Sequence, residues 1–201
     1  MLSDRPEDTE PDEPTEMFDA AAHAALAAAL LEIDRHVHDA GWEQQPTLYA
    51  LARTRELAAA EPGLVTTLGL DPDADPEALT PVEQDTFPPA ADLTEALAQV
   101  SWPPAVAGCA LMTVRTFLPP DAEDEIPADP IAAAEFVAEH PRRVEVRIVV
   151  GAHRDGHRHG VGRLANHPDD VLGATDLVPG LADALAATLA PDEATDPGTV
   201  S

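Results

Sequence analysis

Lysine is absent from this chain and cations are few: 11 arginines stand against 38 Asp and Glu, for a formal net charge of −27 over 201 residues. That charge works against nucleic-acid binding, whose sequence-independent part comes from cations displacing condensed counterions. Anionic membrane surfaces are disfavoured for the same reason. Aromatic side chains make up only 3%, so the core has to be built from Ala, Leu and Val, with helices packed close. The single cysteine, Cys109, excludes an intramolecular disulfide. No apolar run reaches the roughly 18 residues of a membrane-spanning helix, because the Ala-rich stretch after Met17 is cut by Asp19, His23, Glu32 and Asp34. The N-terminus is acidic where a secretory signal is basic and then apolar. These absences point to a cytoplasmic protein with neither nucleic acid nor membrane among its partners. The acidity itself matches the residue bias of a G+C-rich genome or a saline cytoplasm, and it speaks to solubility and association rather than to fold.

Residues 1–15 carry six acidic groups, one arginine and three prolines, too little apolar surface to offset ordering entropy, so a disordered tail is expected. Residues 191–201 form a second such tail, leaving a single domain over 16–190. Its first element is a helix from about Met17 to Ala40, with Phe18, Ala22, Leu26, Leu30, Ile33 and Val37 on one face. Gly41 ends it, and Trp42 is placed to pack back on Val37. Residues 47–54 read as a first strand, 55–60 as a short helix, and 62–91 as a Pro-rich connection. The segment from Thr80 through Pro81 to Glu83 has the form of a helix-start capping box, and Asp92 with Glu95 is a variant that opens a helix through Leu93, Leu97 and Val100.

Residues 105–118 read as the longest strand, with Val106, Met112, Val114 and Leu118 on one face and Cys109, Leu111, Arg115 and Phe117 on the other. A short Ala-rich helix follows, with Pro130 in its first turn, closing near His140. Residues 142–150 alternate, Val144, Val146, Ile148 and Val150 opposing Arg143, Glu145 and Arg147. Asp155 and Gly156 then make a strong two-residue hairpin turn, and 157–165 return as the partner strand. A last helix, capped by Thr175 or Asp176 and with Pro179 in its first turn, presents Leu177, Leu181, Leu185 and Leu189. The expected fold class is α+β: a mostly antiparallel sheet of about four strands, with several helices on its apolar side.

Three of these segments also carry a resemblance. Residues 102–110 (WPPAVAGCA), 143–151 (RVEVRIVVG) with the turn 154–156 (RDG), and 176–185 (DLVPGLADAL) together resemble a family of uncharacterised actinobacterial proteins with a locus-style name, over about Ala24 to Leu189. The resemblance implies a soluble intracellular actinobacterial protein. It supplies no activity, cofactor or catalytic residue.

Two constellations are candidates for chemistry. His153, His157, His159 and His167 fall within fifteen residues. His157 and His159, two apart on a strand, point to one face, and with His153 across the turn they would offer imidazoles to Zn, Ni or Cu. Against that, Arg154 and Arg158 interleave with them and would repel a dication. The second is an arginine pattern. Alternation places Arg53 with Tyr49, Arg115 with Thr113, and Arg143 with Arg147 opposite the valines, with Arg163 joining them. If these faces coincide, the sheet presents a guanidinium surface suited to an acidic partner segment, a carboxylate or a phosphate. Otherwise the arginines pair with Glu145 and with acids on covering loops.

Cys109 reads as a small buried hydrophobe, Trp42 and Trp102 as core anchors, and Gly160 and Gly162 as strand residues rather than a phosphate loop. Walker, HExxH, GxSxG and CxxC patterns are all missing. No catalytic residue and no cofactor is indicated. By elimination the leading expectation is a non-enzymatic interaction or adaptor (chaperone-like) protein with a protein partner. The rival readings are a metal- or anion-dependent enzyme using the histidine hairpin, and a small-anion sensor on the arginine face.

Overall fold

A computed structural model describes residues 13–85, 87, 92–123, 125–175 and 177–190. Of the expected tails, 1–12 and 191–201 lie outside these residues, while 13–15 already belong to the first helix. Helix α1 (Glu13–His38) is followed by β1 (Thr47–Arg53), α2 (Thr54–Ala60), α3 (Pro62–Leu68) and β2 (Leu79–Gln84). Then come α4 (Leu93–Leu97), β3 (Val106–Phe117), α5 (Pro120–Glu123) and α6 (Pro130–Glu139). The chain closes with β4 (Val144–His153), β5 (Arg158–Leu164), β6 (His167–Ala174) and α7 (Pro179–Thr188). The architecture is α+β, around one antiparallel sheet in the order β2-β1-β3-β4-β5-β6.

The sheet has six strands rather than about four, and both additions are edges. Residues 79–84 form β2, not a helix start: an edge strand tolerates Pro81 because no ladder bond is asked of its missing N–H on the outer side. Strand β6 pairs only with β5, and all of its residues are exposed. Pro168, Asp169 and Asp170 blunt that edge against pairing with another chain.

Helices cover both faces of the sheet, not one. On one side α1 lays Leu26, Leu30, Ile33 and Val37 onto Tyr49, Leu51, Met112, Val149 and Val161. Each fully buried Leu or Ile there contributes about 1.5–3 kcal/mol of transfer free energy. Gly151 of β4 makes the close seating possible, since a Cβ at that position would stand 2.7 Å from Leu30 Cδ2. On the other side α7 and α4 cover Leu48, Cys109, Leu111, Ile148, Val150 and Ala152 with Leu93, Leu97, Ala182 and Leu185. Asp92 caps α4, its side chain accepting from the N–H groups of Thr94 and Glu95.

The β4–β5 hairpin closes through three residues, Arg154 to Gly156, rather than the expected two, since Ala152 pairs with Arg158 and His153 N donates to His157 O. Gly156, at φ 101°, takes the left-handed conformation that glycine adopts without strain. One face assignment shifts. Leu51 pairs with Gly108 but Ala52 with Val106, so Ala107 is an extra residue and β3 carries a bulge. Val106 therefore joins the α7-side core, away from Met112 on the α1 side.

Candidate functional site

The residues expected to make one basic face divide between the two sides of the sheet. Directly opposite residues of an antiparallel pair share a face. Val114 stands opposite Arg147, and Arg115 opposite Val146. Arg115 and Thr113 therefore point to the α7 side and Arg147 to the α1 side, where Arg163, its partner on β5, also lies. Arg53 stands opposite Leu79 and pairs with Glu77 at 2.7 Å. Arg143 precedes β4 and is exposed. Tyr49 is buried on the α1 side. Burial and then the negative charge of Glu83, opposite it on β2, push its phenol up to about 12. Apart from the bulge at Ala107, the side chains alternate within each strand as expected, but the register between strands separates the arginines.

Arg147 and Arg163 are buried and both engage Asp34, a buried acid on the apolar face of α1. Arg147 Nε donates to Asp34 Oδ1 at 3.2 Å, and Arg163 donates through Nε at 3.0 Å and Nη2 at 2.5 Å to Oδ2. Burial alone would raise the Asp34 pKa; hydrogen bonds from Arg163 and Arg147 outweigh it and hold the carboxyl below its ordinary range. Remaining guanidinium donors go to Gly41 O and His38 Nδ1 from Arg147 and to Pro168 O from Arg163. Trp42 lies over the Arg147 guanidinium at 5.0 Å, a cation–π contact. This network ties α1 to β4, β5 and the start of β6. It consumes the two arginines internally, and the acid is Asp34 rather than Glu145.

The hairpin histidines meet α1 rather than one another. His159 Nδ1 lies 3.2 Å from His23 Nε2, and the His23 and His157 rings stack at 5.5 Å. His157 Nε2 is buried and 3.0 Å from Asp19 Oδ1, but off the line of a hydrogen bond. His153 Nδ1 pairs instead with Asp155 Oδ1 at 2.8 Å, and His167 is exposed at the start of β6. Among the described residues no group of three or more His, Cys, Asp or Glu side chains is placed to hold a metal ion. His157 and His159 share His23 as a neighbour, and His153 and His157 share Asp155, but no three of these side chains are placed around one point that a metal could occupy. Asp19 and His23, 136 residues from His159 in the case of His23, are the partners that spacing within the hairpin could not reveal. Arg154 turns away from the histidines and donates to the carbonyls of Leu189, Trp102, Pro103 and Val106.

Cys109 is fully buried, its thiol 3.5 Å from Leu185 O and from Thr188 Oγ1. Burial pushes it up to about 11, although Thr188 and Trp102 pull the other way. That is the opposite of an activated nucleophile. Trp102 donates from Nε1 to Thr188 Oγ1 at 3.0 Å and anchors the end of α7.

Besides a depression of about 590 Å³ lined by residues that include Glu32, His36, Tyr49, Leu68 and Glu83, an open feature lies on the α7 side. Helix α7 covers β3 and β4 but stops short of the outer strands, leaving a groove of about 430 Å³. Its floor is Val146, Ile148 and Gly162, and its walls are Leu164, Leu172 and Leu177. Phe117 and Leu172 are about half exposed at its rim, an unusual setting for large apolar groups. Phe117, Ile148 and Val178 are shared with a second depression of about 520 Å³, which continues past Thr113, Arg115 and Thr116 to Asp92 and the first turn of α7. The two adjoin at these three residues and together make a furrow with an apolar end and a polar end.

No curated protein and no solved structure matches the chain. The model of the PPA1309-like protein family matches residues 26–190, close to the span over which the three motifs carry their resemblance. The chain belongs to the PPA1309-like protein family.

Proposed function

We propose that this is a non-enzymatic binding protein and that it binds through the furrow on the α7 side of the sheet. The observation that carries this reading is the furrow's apolar end, where Phe117 and Leu172 stay exposed beside Val146, Ile148 and Leu177. Exposed apolar area in a concave setting is what a binding site needs, since burying it on association supplies the driving force. The candidate chemical groups are engaged elsewhere: Arg147 and Arg163 with Asp34, Cys109 beneath α7, and the hairpin histidines against α1. A small-anion sensor is a second reading on one observation: Arg115, at the polar end of the same furrow, has no ion-pair partner among the described residues.

A solvent-sensitive apolar dye tests the site. It should bind saturably with one-to-one stoichiometry. Leu172→Glu changes a half-exposed edge residue, so it should leave Tm nearly unchanged while weakening the dye at least tenfold. Binding indifferent to Leu172→Glu would remove the furrow from consideration.

A further inference from the structure

From the chemistry at the two ends of the furrow, and resting on the reading of it as a binding site, we infer that its ligand is a long-chain carboxylate. The acyl chain lies in the apolar end and the carboxylate at the polar end. Three donors line that end. Arg115 has no ion-pair partner among the described residues. Thr113 is only 2% exposed, lines the depression, and has no side-chain hydrogen bond among the described residues.

The third donor is the first turn of α7. Its N-cap, Val178, has no capping side chain, and Pro179 at the first position has no N–H. Gly180, which lines the depression, is left with an N–H that has no intrahelical acceptor. A helix start of this kind favours an anion, and here it adds to a guanidinium and a hydroxyl. Asp92 also lines this end, and its carboxylate would repel an anion. It is turned onto the N–H groups of Thr94 and Glu95, which offset its charge.

The apolar end selects the rest of the molecule. Between Arg115 and the far end at Asn166 and His167, the lining consists of apolar side chains and Gly162. Backbone groups below are committed to the β3–β4–β5–β6 ladders. A peptide segment laid there would bury N–H and C=O groups without partners, whereas a methylene chain asks for none. With neighbouring strands about 4.8 Å apart, crossing from β3 to β6 takes roughly 14 Å, the length of an acyl chain of about twelve carbons. The overall negative charge does not forbid the ligand, because its field is screened beyond about 8 Å at physiological ionic strength and Arg115 acts at contact.

Titration calorimetry with dodecanoate, dodecanol, hexanoate and a leucine-terminated peptide, all below their aggregation limits, tests the assignment. Dodecanoate should bind one-to-one, at least tenfold tighter than dodecanol and tighter than hexanoate by about fourfold per methylene. Arg115→Gln, at an exposed position, should abolish the preference for the carboxylate and leave dodecanol affinity unchanged. Leu172→Glu should weaken both. Equal binding of dodecanoate and dodecanol, or a preference that survives Arg115→Gln, overturns the carboxylate assignment. Tighter binding of the peptide than of dodecanoate overturns the acyl chain. If the apolar dye binds but no carboxylate does, the furrow stands and the ligand class falls; if neither binds, both fall.

Discussion

Arg147 and Arg163 stand directly opposite each other on β4 and β5, on the buried side of the sheet, and both donate to Asp34. Two like charges at a cross-strand position destabilise a sheet unless something neutralises them. Here one carboxylate from α1 serves both. The pairing therefore makes the docking of α1 a condition for the hairpin to close, linking the longest helix to strands more than a hundred residues away.

Replacing Asp34 by Asn should accordingly cost about 3–5 kcal/mol in denaturant unfolding, since two buried guanidiniums lose their counter-charge. Replacing Asp34, Arg147 and Arg163 together by Leu, Met and Leu should be less damaging than Asp34→Asn alone, because no uncompensated charge remains. A triple variant less stable than the single one would mean that the network's hydrogen-bond geometry, not charge compensation, is what matters.

Acid should destabilise the protein in two separate windows. Burial, and then the charge of His23, lower the pKa of His159 below 6.5. The unfolded chain then takes up this proton more readily than the folded one, so stability falls as pH drops below 6.5 and levels off below the folded value. Asp34 behaves as a depressed carboxylate: its contribution is intact above 3.8 and is lost as pH falls through its lower folded value. Asp155, also depressed, by His157 N–H and His153 against the effect of burial, joins that second window. Thermal unfolding followed from pH 7 to 3 should show both losses, and His23→Gln should reduce the first while leaving the second. A single loss confined below pH 4 would rule out the histidine contact as an acid-sensitive clasp.

Much of the fold was legible because its central elements carry strong local patterns. The i, i+3 and i+4 recurrence of Leu26, Leu30, Ile33 and Val37, the alternation of β4, the turn at Asp155 and Gly156, and the cap at Asp92 each state one structure. The edge strands were not legible, since β2 and β6 pair on one side only and carry Pro81, Pro168, Asp169 and Asp170 in place of an apolar alternation. A signal for Asp34 was present: it follows Leu30 by four and precedes Val37 by three, inside the apolar stripe, where an acid requires a buried cation. The relative register of β3 and β4 and the length of sheet left bare by α7 are tertiary facts. No local pattern encodes them, so the division of the arginines and the furrow emerge only from the assembled chain.

Close packing of α1 makes Gly151 intolerant of a side chain. A Cβ there would stand 2.7 Å from Leu30 Cδ2, 3.1 Å from Leu26 Cδ1 and 3.3 Å from the carbonyl oxygen of Cys109. The leucine tips are fully buried and the carbonyl belongs to the neighbouring strand, so neither gives way freely. Gly151→Ala should cost about 1–3 kcal/mol, and Gly151→Val more. Gly63 in α3 is the control: nothing lies within 4 Å of its added Cβ, so Gly63→Ala should stabilise by about 0.5–1 kcal/mol. The same sign for both substitutions, in equilibrium unfolding, would contradict the close seating of α1.

Cys109 offers a probe of how tightly α7 is held. Its thiol is buried beneath the helix, at hydrogen-bond range of Leu185 O and Thr188 Oγ1, and is pushed up to about 11, first by burial. The reactive species is the thiolate, so at pH 8 both its small fraction and the cover of α7 protect it. A thiol-specific disulfide reagent should therefore leave the native protein unlabelled, and labelling should appear only as the protein opens. The midpoint of labelling in urea should coincide with that of global unfolding. Labelling well before that midpoint would show that α7 lifts from the sheet on its own, and the furrow would then be wider in solution than its present walls allow.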